Sequence, residues 1–197
     1  SSDVCSSDLT IPDAQLKPLG GRLSITDRFL KAATATADFY LENSCADGVP
    51  MWDTGAPNLH RLGNHLAKPS DPYNPWEPVD SSAAAIAAQG LIRLGNYLIT
   101  ADRTKEGARY RQAGFTVAAT LLDEPYLSTN PKHQGLLLHS VYHRPNGWDY
   151  IAPGQKVPNG ESSMWGDYHA RALALLIQRE ARREPYLVFF HSRIQAS

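Results

Sequence analysis

The chain has 197 residues, a formal charge of −1, 42% hydrophobic and 9% aromatic residues, and two cysteines. That balance offers no basic excess for nucleic acid, and no apolar run approaches the roughly 20 residues of a membrane span. The length suits one domain, or part of a larger one.

The first nine residues read Ser-Ser-Asp-Val-Cys-Ser-Ser-Asp-Leu. They lack the basic start, apolar run and cleavage site of a signal peptide. They follow, without a gap, from a sequencing-library adapter read as codons. Residues 1–9 are therefore expected to be a structureless appendage before a partial domain at residues 10–197. Without Asp3 and Asp8 the formal charge becomes +1. Without Cys5, Cys45 has no intrachain disulfide partner, which is compatible with a reducing compartment but does not establish one.

Four helices are predicted by apolar periodicity. The first, over 24–43, places Ile25, Phe29, Ala32, Ala33, Phe39 and Tyr40 mostly on one stripe, with Ser24 or Thr26 as its cap. The second, over 80–98, starts at Asp80 and is apolar almost all round its first half, the mark of a helix buried on more than one side. The third, over 106–124, is amphipathic and stops before Pro125. The fourth, over 162–184, ends before Pro185 with basic residues that suit the helix dipole. No stretch alternates as a strand does, so the chain reads as all-α.

About eight residues join the second and third helices, so these are expected to pair as an antiparallel hairpin. The other two connections are long and rich in Gly, Pro, Trp, His and Asn. Up-down alternation puts both at one end of the bundle, beside the N-termini of the second and fourth helices. Loops of this length are functional or disordered, and these are too aromatic for disorder. A weak repeat supports the layout: Trp52-Asp53 precedes Asp80-Ser81-Ser82, and Trp148-Asp149 precedes Glu161-Ser162-Ser163. Acid-Ser-Ser is also plain capping chemistry, but its recurrence suggests helical hairpins that close into an α/α toroid.

The stretches GVPMWD, EPVDSSAAAIAAQGLIRL, GLLLHSVYHRP and GESSMWGDYHARALALLI resemble the last part of the unsaturated glucuronyl hydrolases, glycoside hydrolase family 88. The likeness runs over residues 26–180. Longer inserts at 54–79 and 144–160 depart from the family and suggest a divergent branch. The resemblance implies the C-terminal half of an (α/α)6 barrel, truncated at its N-terminus. It also implies action on oligosaccharides ending in a uronic acid. The family hydrates the C4=C5 bond of an unsaturated uronate, using an Asp as general acid and base and requiring no metal. Its catalytic Asp pair belongs to the first half of the barrel, which has no counterpart here.

A sugar site needs flat apolar faces, donors and a cation. Trp52, Trp76, Trp148 and Trp165 can stack on a pyranose or pack in the core. Arg144 can pair with a uronate or sulfate through its planar fork. His139, Ser140, Tyr142 and His143 align with the family's loop near the leaving sugar. Asp80 reads as an N-cap, worth about 1 kcal/mol, and Asp80 or Asp167 can also orient a donor. Glu77 and Glu161 are the loop acids left to a divergent enzyme. As a hydrolytic pair they would have to lie about 5 to 9 Å apart. His60 with His65, His139 with His143, and His133 and His169 offer ligand pairs, but no His-Glu-x-x-His run or cysteine pair accompanies them. No metal site and no cofactor are expected.

The leading expectation is a fragment of a glycoside hydrolase that is inactive by itself and takes an oligosaccharide, with no nucleic-acid or membrane partner. A β-glucuronidase on the same toroid, or a non-catalytic carbohydrate-binding half-toroid, are the alternatives. The expected setting is bacterial, cytoplasmic or periplasmic, with any targeting signal upstream.

Overall fold

The computed structural model describes residues 11–185. The adapter-like residues 1–9, and the apolar run from Tyr186 expected to lean on the last helix, lie outside the described residues. A short helix α1 (Asp13–Leu16) and a 3-10 turn (Lys17–Leu19) lead into α2 (Gly21–Glu42), the first predicted helix. It begins earlier than Ser24 or Thr26, and neither caps it. Its N-cap is Gly20, whose φ of 96° is left-handed, and no side chain bonds to the first turn. Glycine adopts that φ without penalty, so turn chemistry rather than a hydroxyl sets the boundary.

Helices α3 (Ser81–Thr100) and α4 (Thr104–Leu121) form the expected antiparallel hairpin. Their connection is only Ala101–Arg103, because both helices run further than their apolar periodicity. The close approach depends on two glycines. A Cβ at Gly95 would stand 2.6 Å from the Gly107 carbonyl oxygen, and one at Gly107 would stand 2.5 Å from the Gly95 oxygen. No side chain fits between backbones at that distance.

α3 is the centre of the fold, touching α2, α4 and α5 (Met164–Ala181). Its buried residues include Ala84, Ala85, Ala88, Leu91, Ile92 and Leu98, which lie on more than one face. Ile92, Leu98, Tyr110, Val117, Leu121, Leu137 and Leu173 make one core, each large aliphatic contributing roughly 1.5–3 kcal/mol. α2 meets it through Leu30, Ala37, Tyr40 and Leu41, whereas Phe29 and Phe39 of its expected stripe are exposed.

The described residues contain isolated bridges, such as Met51 with Val79 and Leu127 with Leu137, and no named strand. The fold is all-α, with helices packed in a toroid-like arrangement. Apolar side chains are exposed on the first and last long helices: Leu23 is 83% exposed on α2 and Met164 84% exposed on α5. No helix among the described residues is long and apolar enough to cross a membrane.

Candidate saccharide site

Both long connections reach the N-terminal end of α3 and α5. The segment Gly135–Ser140 threads between those two helix starts. Ser81 Oγ donates to the Leu138 carbonyl at 2.6 Å, and Ser162 Oγ donates to the Leu137 carbonyl at 2.7 Å. Asp167 accepts the Leu136 N–H at 2.9 Å and the Leu137 N–H at 2.8 Å. The Ser81 N–H donates to the His139 carbonyl, and the Ser140 N–H donates to the Glu161 carbonyl. The two Ser-Ser pairs are thus clamps on one peptide as much as caps.

The repeat is unequal in detail. Asp80 is the N-cap of α3, with Oδ1 accepting from Ser82 N–H, Ser82 Oγ, Ala83 N–H and, across the loop, Val141 N–H. Burial raises its pKa against those bonds. In the second copy the cap is Ser163, which accepts from the Gly166 N–H at 3.0 Å. Glu161 lies outside the helix, accepting the Tyr150 N–H at 2.9 Å.

Beyond Ser140 the chain builds an aromatic platform. Tyr142 stacks on Trp165 at 5.2 Å between centroids and leans on Trp148 at 5.8 Å, and His143 meets Trp148 at 4.9 Å. Trp165 is anchored by its indole N–H to Ser82 Oγ at 3.2 Å, whereas Trp148 is 60% exposed. Asp149 holds the loop from beneath. It is buried and accepts the N–H groups of Tyr142 and His143. The Trp148-Asp149 motif was visible as half of a repeat, but its work as a loop anchor was not. Arg144 opens a 3-10 turn capped by His143 Nδ1, which accepts the Asn146 N–H. The Arg144 guanidinium has no ion-pair or hydrogen-bond partner among the described residues.

Ser140 and His139 lie below this surface. Ser140 is buried, with its hydroxyl 3.3 Å from that of Ser81. His139 is 3% exposed, left-handed at φ 65°, and wedged edge-on between Tyr73 and Tyr126. Neither ring nitrogen has a hydrogen-bond partner of good geometry. Burial pushes its pKa down to about 4, and the nearby Pro125 carbonyl opposes this only weakly. Tyr73 and Tyr126 gave no sign in sequence that they would enclose a histidine from another loop.

The loop acids separate into two environments. Glu77 is 1% exposed and accepts from Trp52 Nε1 at 2.8 Å, Asn58 N–H at 2.9 Å and Asn58 Nδ2 at 2.8 Å. It ties the first insert together, and Trp52 is part of that tie. Glu161 borders an open cleft with Lys132, His133, Ser162 and Asp167. Burial, and to a lesser degree Asp149, raises its pKa, while the bond from Tyr150 lowers it. His169 sits apart on α5, beside Gln89 at 3.3 Å. No group of three or more His, Cys, Asp or Glu among the described residues is placed to hold a metal ion.

No protein-family model matches the chain, and no curated protein sequence matches it. Solved structures do. The unsaturated glucuronyl hydrolase of Bacillus sp. GL1, responsible for the degradation of glycosaminoglycan, matches at a TM-score of 0.56 and 26% identity over 77% of this chain and 33% of its own. The enzyme from Streptococcus agalactiae matches at 0.50 and 25% over 80% and 34%. A third, specific for heparin, matches at 0.56 and 23% over 80% and 35%. The chain is similar in structure to unsaturated glucuronyl hydrolases. It spans about a third of their length.

Proposed function

We propose that this chain is a C-terminal part of an (α/α)6 glycoside hydrolase acting on oligosaccharides that end in an unsaturated uronic acid. The carrying observation is the exposed platform of Tyr142, His143 and Trp148, fixed by buried Asp149, with the unpaired Arg144 beside it. An apolar ring face with polar edges suits a pyranose, and a guanidinium without an acid suits a carboxylate or sulfate. The structural likeness to enzymes of this class supports the assignment.

In this reading Trp165 and Asp80 brace the platform, Asp167 and Ser140 position the peptide below it, and the principal catalytic carboxylate belongs to the part of the barrel that this chain does not span. Of the two loop acids, Glu161 is the one able to meet a ligand, since Glu77 is enclosed by its three donors.

The test is binding of an unsaturated uronate disaccharide to the 197-residue chain by calorimetry. Trp148→Ala and Arg144→Ala are expected to weaken it at least tenfold each, while turnover by the chain alone is absent. Unchanged binding in both variants would remove the platform from the site. Hydrolysis by the isolated chain would place the catalytic acid within it, with Glu161 the first to replace.

A further inference from the structure

The two inserts that depart from the resembled family meet at one indole. Arg61, in the first insert, lies over the Trp76 ring at 4.5 Å, and Lys156, in the second, lies 5.8 Å from the same centroid. Both cations are exposed. Neither has an ion-pair or hydrogen-bond partner for its charge among the described residues. Two like charges gathered on one ring repel each other, and the ring quadrupole relieves this only in part. An anion between them would relieve the rest.

Trp76 is also built into its place. Its backbone N–H donates to Asn74 Oδ1 at 3.0 Å, and the neighbouring Glu77 is the buried tie to Trp52. The loop that carries Lys156 is the one that carries Trp148, so the two aromatic surfaces are linked through a single connection.

We infer that Arg61, Trp76 and Lys156 form a second subsite that takes an acidic sugar residue, sulfated or uronic, of a chain longer than a disaccharide. The two cations supply the charge complement, and the indole beneath them holds both in place. The substrate class would then be a polyanionic oligosaccharide with acidic groups on more than one residue. This rests on the saccharide reading of the platform, and the following experiment separates the two. The near-neutral chain lacks the broad basic surface that nucleic acid requires, so a saccharide is the favoured anion.

The ¹⁵N-labelled 197-residue chain has four tryptophans, whose indole N–H signals can be assigned by Trp→Phe variants. Titration with a chondroitin 6-sulfate tetrasaccharide is expected to move the signals of both Trp76 and Trp148, and neutral maltotetraose should leave Trp76 still. In the Arg61→Gln/Lys156→Gln variant the affinity read at Trp76 should fall at least tenfold, with Trp148 still responding as the check that the chain is folded. Movement of Trp148 without Trp76 would overturn the second subsite and keep the platform. Movement of Trp76 alone would keep the subsite and overturn the platform. An unchanged response in the double variant, or an equal response to a thymidine tetranucleotide, would overturn the subsite.

Discussion

Asp167 holds the Leu137 N–H at 2.8 Å and so fastens the first turn of α5 to the peptide that leads into Ser140. The same carboxylate also takes the Leu136 N–H through both oxygens, which makes it a two-residue staple across a separation of some thirty positions. A charged acceptor of this kind contributes about 1.5–3 kcal/mol. Asp167→Ala is expected to lower stability by about that amount, and Asp167→Asn by less, since the amide keeps one acceptor. Urea denaturation of the three proteins would show that order, and equal midpoints would contradict it.

His139 gives a pH prediction with a definite sign. Its folded pKa, about 4, lies below the ordinary value of 6.5, so the unfolded chain binds a proton that the folded chain refuses. Stability from this group is full above pH 6.5 and is lost as pH falls towards 4, by on the order of 3 kcal/mol. Raised carboxyl pKa values at Asp80 and Glu161 act in the opposite direction. The difference between wild type and His139→Asn isolates the histidine, because Asn tolerates the left-handed φ. A flatter profile in the variant between pH 4 and 6.5 is the expected result, and parallel profiles would count against it.

Glu77 accepts three donors in a buried site. Glu77→Ala should cost about 2–4 kcal/mol by stranding the Trp52 indole N–H and the two Asn58 donors. Glu77→Gln should be milder but cannot satisfy all three with one carbonyl oxygen. Thermal melts would register this. A Glu77→Gln protein as stable as wild type would free the residue for another role.

Gly95→Ala tests the α3–α4 seam. The new methyl would stand 2.6 Å from backbone atoms of α4, and overpacking of this type costs about 1–3 kcal/mol or more. Gly90→Ala on the same helix meets nothing within 4 Å and should stabilise slightly through helix propensity. The opposite signs of the two substitutions, read in one denaturation series, are the result to look for.

Leu23, Phe29 and Phe39 on α2, and Met164, Tyr168 and Leu175 on α5, are exposed, and exposed apolar side chains gathered on helix faces favour association. Self-association at micromolar concentration is expected in sedimentation velocity, reduced by Phe39→Glu with Met164→Glu. A monodisperse monomer across the concentration range would contradict these faces as sticky surfaces.

Helix class, the four long helices, the Asp80 cap and the gathering of both long loops at one end were legible from the chain. Each depends on local quantities: apolar period, capping residue type and loop composition. The tertiary structure decided what the local pattern could not carry. Gly95 is a seam only because Gly107 faces it, and Glu161 borders a cleft rather than capping a helix because Ser163 takes the cap. His139, expected in the substrate loop, is enclosed by Tyr73 and Tyr126, and Trp76 collects a cation from each insert. Trp165 finds its acceptor in Ser82, on another helix. Those pairings join residues distant in the chain, and they are chosen by packing and by the need to satisfy buried polar groups, which operate only once the helices have met.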